Sequence, residues 1–169
     1  MIELKDSPFW ENYLKGGEEP ADPLAAWNAH AEICGTYFAS VPEAKADHRY
    51  APEKWSVKQV LGHITDCNLI FCYRLTCIAR GETKSLPGFD ENAYMANSRF
   101  EAMAWRALLE TYRAMNQVVT GIVSGFDAAA WNRPGCANDT RITAKEMLSV
   151  LMGHERHHIR TLRDRYGLG

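Results

Sequence analysis

The chain has 169 residues and a mass of 19.1 kDa, enough to bury one hydrophobic core without disulfides or a structural metal. Its 19 basic and 21 acidic residues give a formal net charge of -2 and form no long run of either sign. That distribution argues against a nucleic-acid footprint or a polybasic membrane patch and leaves a small-molecule substrate as the expected partner.

Residues 1–22 hold Pro8, Gly16-Gly17 and Pro20 beside Phe9, Trp10 and Tyr13, the composition of an arm that packs on the body. Leu24, Trp27, Ala31, Cys34 and Phe38 recur at helical spacing before Pro42 stops the run, which predicts a first helix from Leu24 to Val41. Ser56 with Gln59 reads as a capping box, and Val60, Ile64, Cys67, Ile70, Phe71 and Ile78 carry a second helix to Arg80, ended by Gly81. Turn chemistry fills 81–98. A third helix is predicted from Phe100 to Ser124, through Met103, Leu108, Tyr112, Met115 and Val119. After a second turn-rich connection, in which Thr140-Arg141-Ile142 could form a brief strand, Thr143 and Glu146 make another capping box. Met147, Leu151, His154, His158 and Leu162 then mark a fourth helix to Tyr166.

The expected fold is all-α, a four-helix bundle with long connections in one domain spanning 1–169. The 81–98 connection is long enough, at about 3.3 Å per residue, to run the length of a helix, which favours an up-down-down-up order. Cys67, Cys72 and Cys77, five apart on one helix, point in different directions, and five cysteines is an odd count, so a disulfide framework is not expected. No apolar stretch approaches the ~20 residues a bilayer needs, and Met1-Ile2-Glu3-Leu4-Lys5-Asp6 lacks the features of a signal peptide. The expected location is the cytoplasm.

His154 and His158, four apart, project from the apolar face of the fourth helix, and His63 lies beside Val60 and Cys67 on the second. In the up-down-down-up order the three sit at similar depth and can converge on one divalent ion, Zn²⁺ or Ni²⁺, with a coordination position left over. One inward histidine alone is usually a hydrogen-bonded core residue; two on one face and a third at matching depth shift the balance toward a metal. His157 faces about 100° away from His158, and His30 and His48 have no partner at informative spacing. Asp66 and Glu155 are candidates for orienting the ligands, although each could simply pair with a base or face solvent. Arg74 and Asp90 are candidates for the substrate pocket, and Arg74 could equally snorkel from a core edge. Cys67, one turn from His63, reads either as a reactive thiol or as inert packing.

His154-Glu155-Arg156-His157-His158 also matches the H-E-x-x-H pattern of zinc proteases. Only eleven residues follow His158, none of them Glu or His, and the sequence offers no strands for a substrate cleft, so a protease is rejected.

Trp55-Ser56-Val57-Lys58-Gln59-Val60-Leu61-Gly62-His63-Ile64-Thr65-Asp66, with Tyr73-Arg74, Ala79-Arg80-Gly81, Leu86-Pro87-Gly88-Phe89-Asp90, Gly153-His154-Glu155-Arg156-His157-His158 and Arg165-Tyr166-Gly167, resembles the DinB-like superfamily over roughly residues 24 to 168. The resemblance implies an up-down-down-up bundle, often a homodimer, with Zn²⁺ or Ni²⁺ on three histidines that map onto His63, His154 and His158. It also implies metal-dependent hydrolases or thiol transferases that use a low-molecular-weight thiol such as bacillithiol or mycothiol. Three functions stay open: an enzyme activating a thiol or water, a non-catalytic metal-binding or stress-induced protein, and a helical interaction module with core histidines.

Overall fold

The structure is a computed structural model that describes residues 2–3, 13 and 20–169. Its elements in chain order are β1 (Ile2–Glu3), α1 (Pro23–Ser40), α2 (Val57–Ala79), α3 (Glu91–Ala96), α4 (Trp105–Val123), α5 (Ala128–Trp131), β2 (Pro134–Ala137), β3 (Thr140–Thr143) and α6 (Ala144–Tyr166). The long helices begin where capping chemistry starts them. Asp22 accepts from Ala25 N ahead of α1, while Ser56 with Gln59 and Thr143 with Glu146 form complete capping boxes at α2 and α6. Gly167, at φ 68°, closes α6 in the left-handed conformation that glycine adopts without strain.

Two expectations need correction. The third long helix starts at Trp105, not Phe100, because Phe100–Ala102 forms a single 3₁₀ turn and Met103 and Ala104 are extended. The chain is also not all-α. A three-stranded sheet in the order β1-β3-β2 pairs Cys136 with Arg141 antiparallel and Ile2 with Thr140 parallel. Asn138 and Asp139, at φ 50° and 56°, form the two-residue turn between β2 and β3, a hairpin turn that asparagine and aspartate tolerate. The remainder of the arm over 1–22, apart from β1, Tyr13 and the residues from Pro20 onward, lies outside the described residues.

α2 packs on both α4 and α6, and α1 packs on the same two helices. At one end of the core, Val57, Leu61 and Ile64 of α2 meet Trp105 and Tyr112 of α4, Phe38 of α1, and Ile159 and Leu162 near the end of α6. At the other end, Phe71, Leu75 and Ile78 meet Val119 and Val123 of α4, Trp27 of α1, and Met147 and Leu151 near the start of α6. The start of α2 therefore lies against the end of α6, and His63 comes level with His154 and His158. Each fully buried large side chain stabilises this arrangement by about 1.5–3 kcal/mol. Gly62 permits a close approach beside His63: a Cβ there would lie 2.3 Å from the Phe100 ring.

Candidate metal centre

Position 63 is the seventh residue of α2, and positions 154 and 158 lie one turn apart on α6, so all three side chains leave their helices toward the same seam. Nε2 of His154 is 3.1 Å from Nε2 of His63 and 3.1 Å from Nε2 of His158. His63 is 7% exposed and His154 3%, while His158 is half-buried at the edge. Burial pushes His63 down to about 4, and burial with the neighbouring histidines holds His154 and His158 well below the usual histidine range. At neutral pH the site is therefore three neutral imidazoles whose Nε2 atoms face one point.

Protons do not satisfy this arrangement. A neutral imidazole carries one N–H, and the single lone pair of His154 Nε2 can accept from only one of its two neighbours. Nδ1 of His154 is buried without a hydrogen-bond partner. A divalent ion resolves the crowding at Nε2. Ligands at about 2.05 Å stand roughly 2.9 Å apart at right angles and 3.4 Å apart in a tetrahedron, a range that brackets the observed 3.1 Å. The three residues thus form a group able to hold a metal ion.

Among the described residues, rings and not carboxylates hold the imidazoles in place. Trp55 lies 4.8 Å from His63 between centroids, and Phe71 stands at 90° to His154 at 5.6 Å. Tyr13 meets His154 edge-on at 5.3 Å and also contacts His157. The Tyr13 backbone runs so close to α6 that a Cβ on Gly153 would lie 1.9 Å from its carbonyl oxygen. Cys67 Sγ is 3.6 Å from His63 Nε2, but burial and the nearby Asp66 push its thiol far up, so it stays protonated.

The other residues singled out in the sequence lie elsewhere. Asp66 makes no hydrogen bond to a histidine; it lines a separate hollow of about 520 Å³ with Tyr94, Phe100 and Met103, where burial raises its carboxyl. Glu155 is 0% exposed and points away from the three histidines: Oε2 is 2.7 Å from His30 Nε2, and Oε1 accepts from Asn68 Nδ2 at 2.5 Å. Arg74, 3% exposed, donates to the Pro87 carbonyl at 2.5 Å and sits over the Phe71 and Phe89 rings. Asp90 caps α3, accepting from Asn92 N and Ala93 N. The opening that reaches the histidines, about 260 Å³, is lined at His158 by Lys54, Trp55, Asn92, His157 and Tyr166.

His30 does have a partner, contrary to its apparent isolation in sequence. It occupies the inner row Trp27, His30, Cys34, Phe38 of α1, a row whose sequence spacing suggests Ala31 instead, and Glu155 continues the buried row Leu148, Leu151, Ile159, Leu162 of α6. A polar residue inside each apolar row was the available signal.

The sequence profile of the DinB superfamily matches residues 26–162. The chain belongs to the DinB superfamily. Among solved structures it is similar to YfiT from Bacillus subtilis, described as a probable metal-dependent hydrolase with an unusual four-helix bundle topology. The TM-score is 0.72 at 20% identity, covering 85% of this chain and 87% of that one. It is also similar to a mycothiol-dependent maleylpyruvate isomerase, with a TM-score of 0.67 at 15% identity over 95% of this chain and 62% of the isomerase. These likenesses establish a shared DinB-like fold. Among curated proteins no sequence matches significantly. No described helix is long and apolar enough to cross a membrane.

Proposed function

We propose that the chain is a metal-dependent enzyme acting on a small molecule, with His63, His154 and His158 holding one Zn²⁺ or Ni²⁺ through Nε2. The observation that carries this reading is the convergence of three neutral imidazoles, two buried and one half-buried, with His154 Nε2 3.1 Å from each of the other two, an arrangement their own protons leave unsatisfied. A bound ion supplies Lewis acidity to a water or to a low-molecular-weight thiol acting as nucleophile. The chain's own residues then position the reactants. Trp55 and Phe71 fix the His63 and His154 rings, and His158 presents the site to the opening. Lys54, Asn92 and His157 offer polar contacts to a substrate there. Tyr166, its phenol pushed up to about 12 by burial, donates to the Trp55 carbonyl and braces the wall that Trp55 forms.

A probable hydrolase and a mycothiol-dependent isomerase among the structural neighbours support hydrolysis and thiol chemistry as the reaction classes to test, with thiol S-transfer first. The same reading takes 1–169 as one up-down-down-up bundle, supported by the meeting of the start of α2 with the end of α6. It adds a homodimer on the family resemblance, and a cytoplasmic location in keeping with five free cysteines. The test is conjugation of monochlorobimane with a panel of thiols, beside an ester and amide hydrolysis panel, on metal-loaded and chelated protein. Turnover that vanishes on chelation and returns with Zn²⁺ or Ni²⁺ is the expected result. Silence in both panels with the ion loaded favours a non-catalytic metal-binding protein instead.

A further inference from the structure

A second convergence of ligating side chains lies on the other side of α6. His30 and Cys34 are four apart on α1, and Glu155 follows His154 directly in α6. Their ligand atoms all lie within 4.8 Å of one another, and all three residues are buried. Glu155 Oε2 is 2.7 Å from His30 Nε2, and Cys34 Sγ is 3.4 Å from that same nitrogen. The pattern repeats that of the three histidines: two residues one turn apart on one helix, closed by a third from a neighbour.

We propose that His30, Cys34 and Glu155 form a second metal site, for a thiophilic divalent ion such as zinc, back to back with the histidine site across α6. Nitrogen, sulfur and oxygen together make a donor set that Zn²⁺ accepts. Tetrahedral geometry puts nitrogen and sulfur ligands about 3.6 Å apart and nitrogen and oxygen ligands about 3.4 Å apart. The sulfur spacing already matches, and the carboxylate has to withdraw by about 0.7 Å. Charge also balances, since one thiolate and one carboxylate cancel a divalent ion inside a low-dielectric core. On binding, the Cys34 thiol proton leaves to solvent, while His30 binds as neutral imidazole and Glu155 as carboxylate.

Without the ion, protons hold the same three atoms together. Burial and the adjoining Glu155 carboxylate push the Cys34 thiol far up, so in that state it is a protonated thiol and not a free nucleophile. Asn68 secures the second carboxylate oxygen, fixing the direction in which Glu155 points. The ion has a route in: His30 and Cys34 line the floor of a groove of about 720 Å³, walled by Tyr13, Tyr37 and Met152.

The proposal is independent of what the histidine site does, and cobalt(II) titration of metal-free protein separates the two. The wild-type chain is expected to bind two Co²⁺, one of them giving the near-ultraviolet charge-transfer band of thiolate-bound cobalt. Cys34→Ser removes that band and weakens the corresponding ion at least tenfold, while Cys67→Ser leaves both. His154→Ala, which disables the histidine site, still binds one Co²⁺ with the thiolate band. A wild-type chain that binds a single Co²⁺ without the band overturns the proposal, as does a band that disappears in Cys67→Ser and survives in Cys34→Ser. The wild-type stoichiometry and the near-isosteric Cys34→Ser decide the matter even if His154→Ala fails to fold.

Discussion

The two polar clusters flanking α6 are built alike and satisfied differently. His63, His154 and His158 crowd three nitrogens at 3.1 Å and leave Nδ1 of His154 unpartnered, whereas Glu155 has both carboxylate oxygens engaged, by His30 and Asn68. An unsatisfied buried cluster lowers stability and persists when something else completes it, the role proposed above for an ion. The second is already hydrogen-bonded before any ion enters it, so its network supports the fold whether or not the proposed ion is bound. The first should therefore govern activity and the second stability, even though His154 and Glu155 are adjacent in sequence.

Substitutions can break that contrast. Glu155→Ala leaves His30 and Asn68 without their buried partner and should destabilise the chain by about 3–5 kcal/mol in urea unfolding; a change below about 1 kcal/mol would show that the network carries little of the fold. His154→Ala should lower metal-dependent turnover at least about 100-fold, because even groups that only orient metal ligands are worth 10–100-fold. Loss of the unpartnered Nδ1 partly offsets the cavity left against Phe71, so the metal-free variant should be less stable than the metal-free wild type by no more than about 2 kcal/mol.

Acid sharpens the comparison further. An unfolded histidine titrates near 6.5, and folded His63 near 4. Between those values the unfolded chain holds more protons, so stability of the metal-free chain is full above about pH 6.5. It falls with acidification by up to about 1.4 kcal/mol per pH unit for each buried histidine. Chemical unfolding of chelated protein from pH 7 to 4 should show this fall, with a shallower slope in His154→Ala; equal slopes would contradict the depressed values. The smallest effect belongs to the rim. Lys54→Ala, at an exposed position of the opening, should raise KM for an anionic substrate by about threefold and leave kcat unchanged, as befits a solvated charge.

Much of this was legible in sequence, and unevenly so. Capping boxes at Ser56 and Thr143 and the helical spacing of apolar residues locate α2 and α6 within a residue, because those signals are local. The length of the 81–98 connection favours, without fixing, the order in which His63 stands level with His154. Of the hairpin only the strand over Thr140–Ile142 is expected from sequence, because β2, Pro134–Ala137, has no alternating pattern and its signal is only the Asn138-Asp139 turn. Sequence adjacency to His154 suggests that Glu155 serves the three histidines, yet one residue's step in a helix is a turn of about 100°, and only packing shows which neighbour fills that side. Arg74 and Asp90 had local uses, a carbonyl with two rings and a helix cap, that a residue type alone does not disclose.

The central claim is that the three histidines hold an ion. Elemental analysis of the chain purified without a metal-chelate column, beside His154→Ala prepared identically, tests it most directly. The account predicts one fewer equivalent of zinc or nickel per chain in the variant, with its helical circular dichroism intact. Equal metal content in the two, or a wild-type chain that takes up no transition metal when supplied with it, would contradict it.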